Sequence, residues 1–347
     1  MEFNLNALVR PNILSLAPYS SARSEFSGTA SVWLDANESP FNGPYNRYPD
    51  PLQKQVKERL SAIKGVAAER LFLGNGSDEC IDLMYRVFCE PKTDNVVAIS
   101  PSYGMYEVCA DINDVEYRKV PLRDDFSLNA EALIAATDDH TKVIWICSPN
   151  NPTGNAFSTA DIERVLGAFK GIVVVDEAYG EFSSQESMRF QLDRYPNLLV
   201  MQTFSKAWGC AGVRLGMAFA SEAITTLFNK VKYPYNVNML TQQFALKHMD
   251  RLDEVQQWIE TLLSERTRLI QSLNELEQVK KVFATDANFV LVRVVDADAI
   301  YSHLQAQGII VRNRNKVEKC LGCLRITVGT ESENNAVING IKSYGTK

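Results

Sequence analysis

From about residue 70 to residue 220, short unbroken apolar runs alternate with stretches whose apolar positions return every three or four residues. The runs are NVVAIS, TKVIWICSP, GIVVVDEAY, NLLVMQTFSK and RLGMAFA. Runs with no polar face predict strands covered on both sides, and their alternation with helical stretches predicts a mostly parallel sheet joined by crossover helices. Each run passes into a polar, Pro- or Gly-bearing segment, and ligands of such sheets gather at the strands' carboxyl ends. Residues 241–278 interleave charge with apolar positions at helical spacing and predict one or two long helices. Beyond them, ANFVLVRV, AIYSHLQAQG, IIVRNR and LRITVG predict a smaller α+β unit closed by a last helix. The first 30 residues, with Pro11, Pro18 and a serine cluster, read as an extended arm. The expected organisation is an arm over 1–30, a large α/β domain over 31–243 and a small α+β domain over 244–347.

Composition narrows the function classes without choosing one. At 347 residues, with 46% hydrophobic and 22% charged residues, the chain has the balance of a folded protein with two or more units. A net charge of -6 argues against a nucleic-acid surface, although single arginines can still bind small anions. No run approaches the roughly 18 apolar residues of a membrane span. The opening MEFNLNALVRPN carries acid and polar residues where a signal peptide is apolar, so a cytoplasmic location with no membrane partner is expected. Seven cysteines scattered through apolar segments read as reduced and buried. Cys320 and Cys323 form a C-x-x-C at the entry to a strand, without the second ligand pair that zinc needs, and no metal is expected. No G-x-G-x-x-G follows a strand, which disfavours a dinucleotide site.

Chemistry concentrates at three strand ends. SPNNPTG, Ser148 to Gly154, follows VIWIC; alone it signals a turn. Asp176 and Glu177 close the strand IVVVD, where a carboxylate has to be solvated, used as a helix cap, or paired with a buried positive group. Thr203, Ser205 and Lys206 end a further strand, with Arg214 eight residues on. A lysine there is ordinarily a solvated surface residue. Together the groups match the demands of pyridoxal phosphate: an amine for its aldehyde, an acid for its pyridine nitrogen, neutral donors for its phenolic oxygen, and hydroxyls, amides and an arginine for its phosphate.

In order and spacing, NNPTG, DEAY, SK and the following arginine resemble the fold-type I aminotransferases. The likeness extends upstream to GNGSDE, Gly74 to Glu79, and to PSYGMY, Pro101 to Tyr106. The resemblance implies the pyridoxal-phosphate-dependent transferase fold of type I. By the same resemblance Lys206 carries the cofactor as a Schiff base and later moves the proton, Asp176 holds the pyridinium proton, and Asn151 and Tyr179 bind the phenolic oxygen. Tyr103 stacks on the ring, while Ser77, Asp78, Thr203, Ser205 and Arg214 anchor the phosphate.

LDANESPFN, RYPDP and LRITVGT extend the likeness over nearly the whole chain and are similar to the histidinol-phosphate aminotransferases. That resemblance implies transfer of an amino group between L-histidinol phosphate and 2-oxoglutarate in histidine biosynthesis, in a homodimer where Tyr48 reaches the other subunit's cofactor phosphate. It also implies Arg325 as the main anion-binding arginine, Arg312 for the substrate's distal anion, and Tyr19 and Asn37 at the substrate. Arginine suits both carboxylate and phosphate because its planar fork binds either bidentately. Arg314 shares the expected strand face with Arg312. Trp208, Cys210 and Ser39 depart from the family's common residues at positions outside the implied chemistry. A threonine-phosphate decarboxylase and an aromatic amino-acid aminotransferase share the cofactor residues and stand as alternatives.

Overall fold

Alternate residues of each buried strand go to opposite cores, which is why the strands lack a polar face. In the computed structural model, which describes residues 3–20, 25–26 and 28–345, a seven-stranded sheet is built from β1 (Leu71–Asn75), β2 (Asn95–Ser100), β3 (Glu116–Pro121), β4 (Thr141–Cys147), β5 (Ile172–Asp176), β6 (Leu198–Thr203) and β7 (Leu215–Phe219). The order is β1-β7-β6-β5-β4-β2-β3. β7 runs antiparallel to both neighbours and the other adjacent pairs are parallel. On β5, Val173 and Val175 join one apolar cluster and Ile172 and Val174 the other.

Helices cover both faces. α1 (Leu5–Leu8), α2 (Pro11–Ser15), α3 (Lys54–Lys64), α4 (Ser77–Phe88), α5 (Met105–Ile112), α6 (Ala130–Ala135), α7 (Thr159–Ala168), α8 (Glu222–Val231) and α9 (Met239–His248) precede the long α10 (Leu252–Asn274). One cluster takes side chains from α4, α5 and α8, the other from α3, α6, α7 and α9. Residues 5–15 differ from the expected extended arm: they form two short helices, with Val9 between them and Ile13 of the second buried, and Arg10 N donates to Val87 O at 3.0 Å. The parts of the expected arm at 1–2, 21–24 and 27 lie outside the described residues.

A second, four-stranded antiparallel sheet has the order β10-β11-β9-β8, from β8 (Val279–Val282), β9 (Phe289–Val294), β10 (Arg312–Asn313) and β11 (Cys323–Thr327). α11 (Ala297–Ala306), α12 (Glu331–Lys342) and the last turns of α10 cover one face. The other face, through Phe289 and Leu291, joins a core of the large sheet. α10 serves both units: Val255 and Ile259 enter that shared core, and Leu269 and Leu273 enter the small one. α12 opens on a capping box in which Thr330 and Glu333 satisfy each other's backbone amides. No described helix is long and apolar enough to cross a membrane.

Candidate active site

The parallel strands deliver their carboxyl ends to one edge, and the antiparallel β7 begins there. A cleft of about 510 Å³ opens at that edge, lined among others by Ser77, Asp78, Tyr103, Asn151, Asp176, Tyr179, Thr203, Ser205, Lys206 and Arg214. Every residue expected at the cofactor apart from Tyr48 is therefore brought together. Cys147 and Ala178 complete the lining and had no motif to announce them.

α4 starts in the cleft with Gly76 as its N-cap, which offers no side chain to the first-turn amides. Uncapped amides and the helix dipole favour an anion. Glycine is required here twice. Gly76 has φ 74, and a Cβ on it would lie 2.6 Å from Arg214 Nη2; a Cβ on Gly216 would lie 2.2 Å from the Ser77 amide nitrogen. Arg214, itself left-handed at φ 57, accepts the Gly76 amide on its carbonyl at 2.7 Å and donates Nη2 to Asp78 Oδ2 at 3.3 Å. Thr203 Oγ1 donates to Ser205 Oγ at 3.0 Å, which sets both hydroxyls at the same end.

Asp176 is buried, and loss of water raises its carboxyl above the ordinary range; a nearby Asp78 raises it further, while hydrogen bonds and Lys206 oppose the rise. The Ala178 amide donates to Oδ1 at 3.0 Å and Tyr106 Oη to Oδ2 at 2.5 Å. Lys206 is pushed the other way. Burial lowers its amine first, and the Arg325 and Arg214 charges add to that, against Asp176 and Asp78. Its Nζ lies 5.5 Å from the Tyr179 ring centre. An amine held toward neutrality beside a buried carboxylate has the character of a nucleophile and general base.

These donors fit pyridoxal phosphate: uncapped amides, hydroxyls and a guanidinium for the phosphate, a buried carboxylate for a pyridine N–H, and a depressed amine for the aldehyde. Asn151 Oδ1 accepts from Arg325 Nη1 at 2.5 Å, which leaves its amide N–H₂ as a donor. Tyr103 Oη donates to Asp78 Oδ1 at 3.1 Å, holding that ring at the cleft wall.

The small sheet supplies the positive rim. Arg312 on β10 lies opposite Arg325 on β11. Arg314 lies one residue past β10 with its amide still paired to the Cys323 carbonyl of β11 at 2.9 Å; its charge is felt by Tyr179 and it feels Arg325 and Arg312. Burial and those two neighbours push Arg314 down to about 10, and burial followed by Arg312 lowers Arg325. Nε of both Arg314 and Arg325 is buried without a hydrogen-bond partner. Among the described residues no carboxylate pairs with Arg312, Arg314 or Arg325.

Tyr19, Asn37 and Tyr48 do not line the cleft. Tyr19 and Asn37 are exposed; Tyr48, half exposed, stacks on Tyr235 with ring centres 4.4 Å apart. Cys320 and Cys323 are packed in the shared core, where burial raises both thiols, Cys320 to about 12. Among the described residues no cluster of three or more His, Cys, Asp or Glu is placed to hold a metal ion. The residue that motif reading passed over is Tyr106, whose signal was its place one helical turn after Tyr103 in PSYGMY.

Comparison with known proteins agrees with this geometry. The profile of the class I and II aminotransferases matches residues 19–341. A histidinol-phosphate aminotransferase of Bacteroides fragilis (strain YCH46) is 57% identical over 341 residues, 98% of this chain and 99% of that protein. Among solved structures, the histidinol-phosphate aminotransferase from Clostridium acetobutylicum superposes with TM-score 0.80 at 23% identity, over 86% of this chain and 91% of that one. The Sinorhizobium meliloti histidinol-phosphate aminotransferase, solved in complex with pyridoxal-5'-phosphate, gives TM-score 0.79 at 22% identity, over 89% of each chain.

Proposed function

Since the chain belongs to the histidinol-phosphate aminotransferases, within the class I and II aminotransferases, we propose that it moves an amino group between L-histidinol phosphate and 2-oxoglutarate with pyridoxal phosphate. The observation that carries the reading is one cleft holding a depressed lysine and a buried aspartate, with Arg325 of the small sheet bonded to its Asn151.

Pyridoxal phosphate, when bound, supplies the aldehyde that receives the amino group and the ring that draws electrons from the substrate. Lys206 would hold it through its amine; once free, Nζ would take and return the proton at the substrate's alpha carbon. Its lowered basicity, set first by burial and then by the Arg325 charge, favours the proton-accepting form for that task. Asp176 receives the ring N–H. Asn151 and Tyr179 donate to the phenolic oxygen, and Tyr103 lies against the ring. The Ser77 and Asp78 amides, Thr203, Ser205 and Arg214 hold the phosphate.

Arg325 and Arg312 take the anionic groups of the substrates in turn, with Tyr19 and Asn37 closing over them. The enzyme works as a cytoplasmic homodimer in which Tyr48 reaches the other subunit's phosphate. An arm over 1–30, a large domain over 31–243 and a small domain over 244–347 divide these tasks. The test is a coupled assay of histidinol phosphate with 2-oxoglutarate, run beside threonine phosphate and phenylalanine. Glutamate release fastest with histidinol phosphate is expected. Carbon dioxide from threonine phosphate without need of 2-oxoglutarate, or a preference for phenylalanine, would overturn the substrate assignment.

A further inference from the structure

Tyr106 is wholly buried, three residues after Tyr103 on α5 and outside the cleft lining. Its ring is fixed on two sides. It stacks on Trp145 with centres 4.7 Å apart and planes 13° from parallel, and meets Tyr103 edge-on at 5.6 Å. The Tyr85 hydroxyl donates to the Tyr106 carbonyl at 2.6 Å, which ties down the backbone of the same turn. A ring clamped in this way fixes its hydroxyl in place, beside the Cys147 thiol. The hydroxyl donates to Asp176 Oδ2, while Oδ1 takes the Ala178 amide, so the carboxylate is gripped at both oxygens.

We propose that Tyr106 is a positioning residue: its hydroxyl keeps Asp176 an anion and turns it toward the ring N–H of pyridoxal phosphate. The inference rests on the cofactor reading above and is independent of which amine is the substrate. Burial alone favours a neutral carboxyl, and a neutral carboxyl cannot hold a proton on the pyridine nitrogen. A neutral phenol donor stabilises the anion without itself bringing a competing charge. The ionisable groups facing Asp176 from the surrounding elements are Asp78 and Cys80 on α4, Tyr103, Cys147 on β4, Tyr179 and Lys206. Of these only Lys206 brings positive charge, and its amine is reserved for the aldehyde.

Tyr106→Phe removes one oxygen and keeps the stacked ring. The measurement is the dissociation constant of pyridoxal phosphate from the apoprotein as a function of pH, followed by tryptophan fluorescence, with thermal melting of each variant alongside. Because the donor holds the anion, its loss raises the Asp176 pKa, and affinity then fails at a higher pH as acid is added. The expected result is an acid limb moved up by about one pH unit and affinity at neutral pH weakened roughly tenfold. In Asp176→Asn the same tyrosine change should have no further effect on affinity. An unmoved acid limb in Tyr106→Phe, or an equal loss in the Asp176→Asn background, would overturn the proposal. Failure of the unaltered protein to bind pyridoxal phosphate would instead strike the cofactor reading.

Discussion

The cofactor cleft and the arginine rim treat charge in opposite ways. In the cleft each ion meets an answer from the chain itself: Asp176 takes two donors, Arg214 faces Asp78, and Lys206 sits among both signs. On the rim, Arg312, Arg314 and Arg325 crowd one another, and two guanidinium nitrogens are buried unpaired. A resident ligand allows its site to be pre-satisfied. A pocket that must receive a phosphate and then a dicarboxylate keeps its positive charge uncommitted, at some cost in repulsion when empty.

The contrast can be tested in order of expected effect. Lys206→Ala should reduce turnover on the order of ten-thousandfold, the upper range for losing a positioned acid–base group, and should abolish the borohydride-fixed cofactor adduct seen by mass spectrometry. An active alanine variant would break the assignment of the cleft. Arg325→Ala should lower kcat/KM roughly ten- to a hundredfold for both the phosphorylated amine and 2-oxoglutarate. Loss for one substrate alone would mean two separate anion sites. The smallest effect is on stability. Inorganic phosphate added to the cofactor-loaded enzyme should raise Tm by about 2–4 °C at a hundredfold excess over its Kd. Arg314→Gln should reduce that rise. Because burial and the Arg325 and Arg312 charges push the Arg314 guanidinium down to about 10, its share should be present at lower pH and fade as pH climbs through that range. A rise unchanged in the variant would place the phosphate elsewhere.

The strands around the cleft were legible because burial on both faces leaves unbroken apolar runs such as IVVVD, and the motif residues sit where those runs stop. β3 was not, since EYRKVP lies at the sheet edge with most side chains partly or fully exposed, and an edge strand has no need of apolar continuity. The direction of β7 also escaped, because a buried strand reads alike in either orientation. The helices of residues 5–15 are too short to show a period, and their burial comes from a surface far along the chain. Tyr106 illustrates the general limit. Its hydrogen bond joins residues 70 apart in sequence, and nothing local distinguishes it from any other core tyrosine. Trp208, a departure from the family's common residues, turns out to donate its indole N–H to Glu181 at 2.6 Å, away from the cleft.

Phe289 lies under both regions. Its ring meets Tyr179 edge-on at 5.1 Å and carries the Arg325 guanidinium at 5.2 Å. One aromatic floor therefore bears a wall of the cleft and the Arg325 charge proposed for the substrate. Trimming it to reshape the substrate pocket would loosen both supports in a single stroke. A lineage or a designer seeking a new amine donor is better served by altering the outer edge, where Arg312 is exposed and away from that floor.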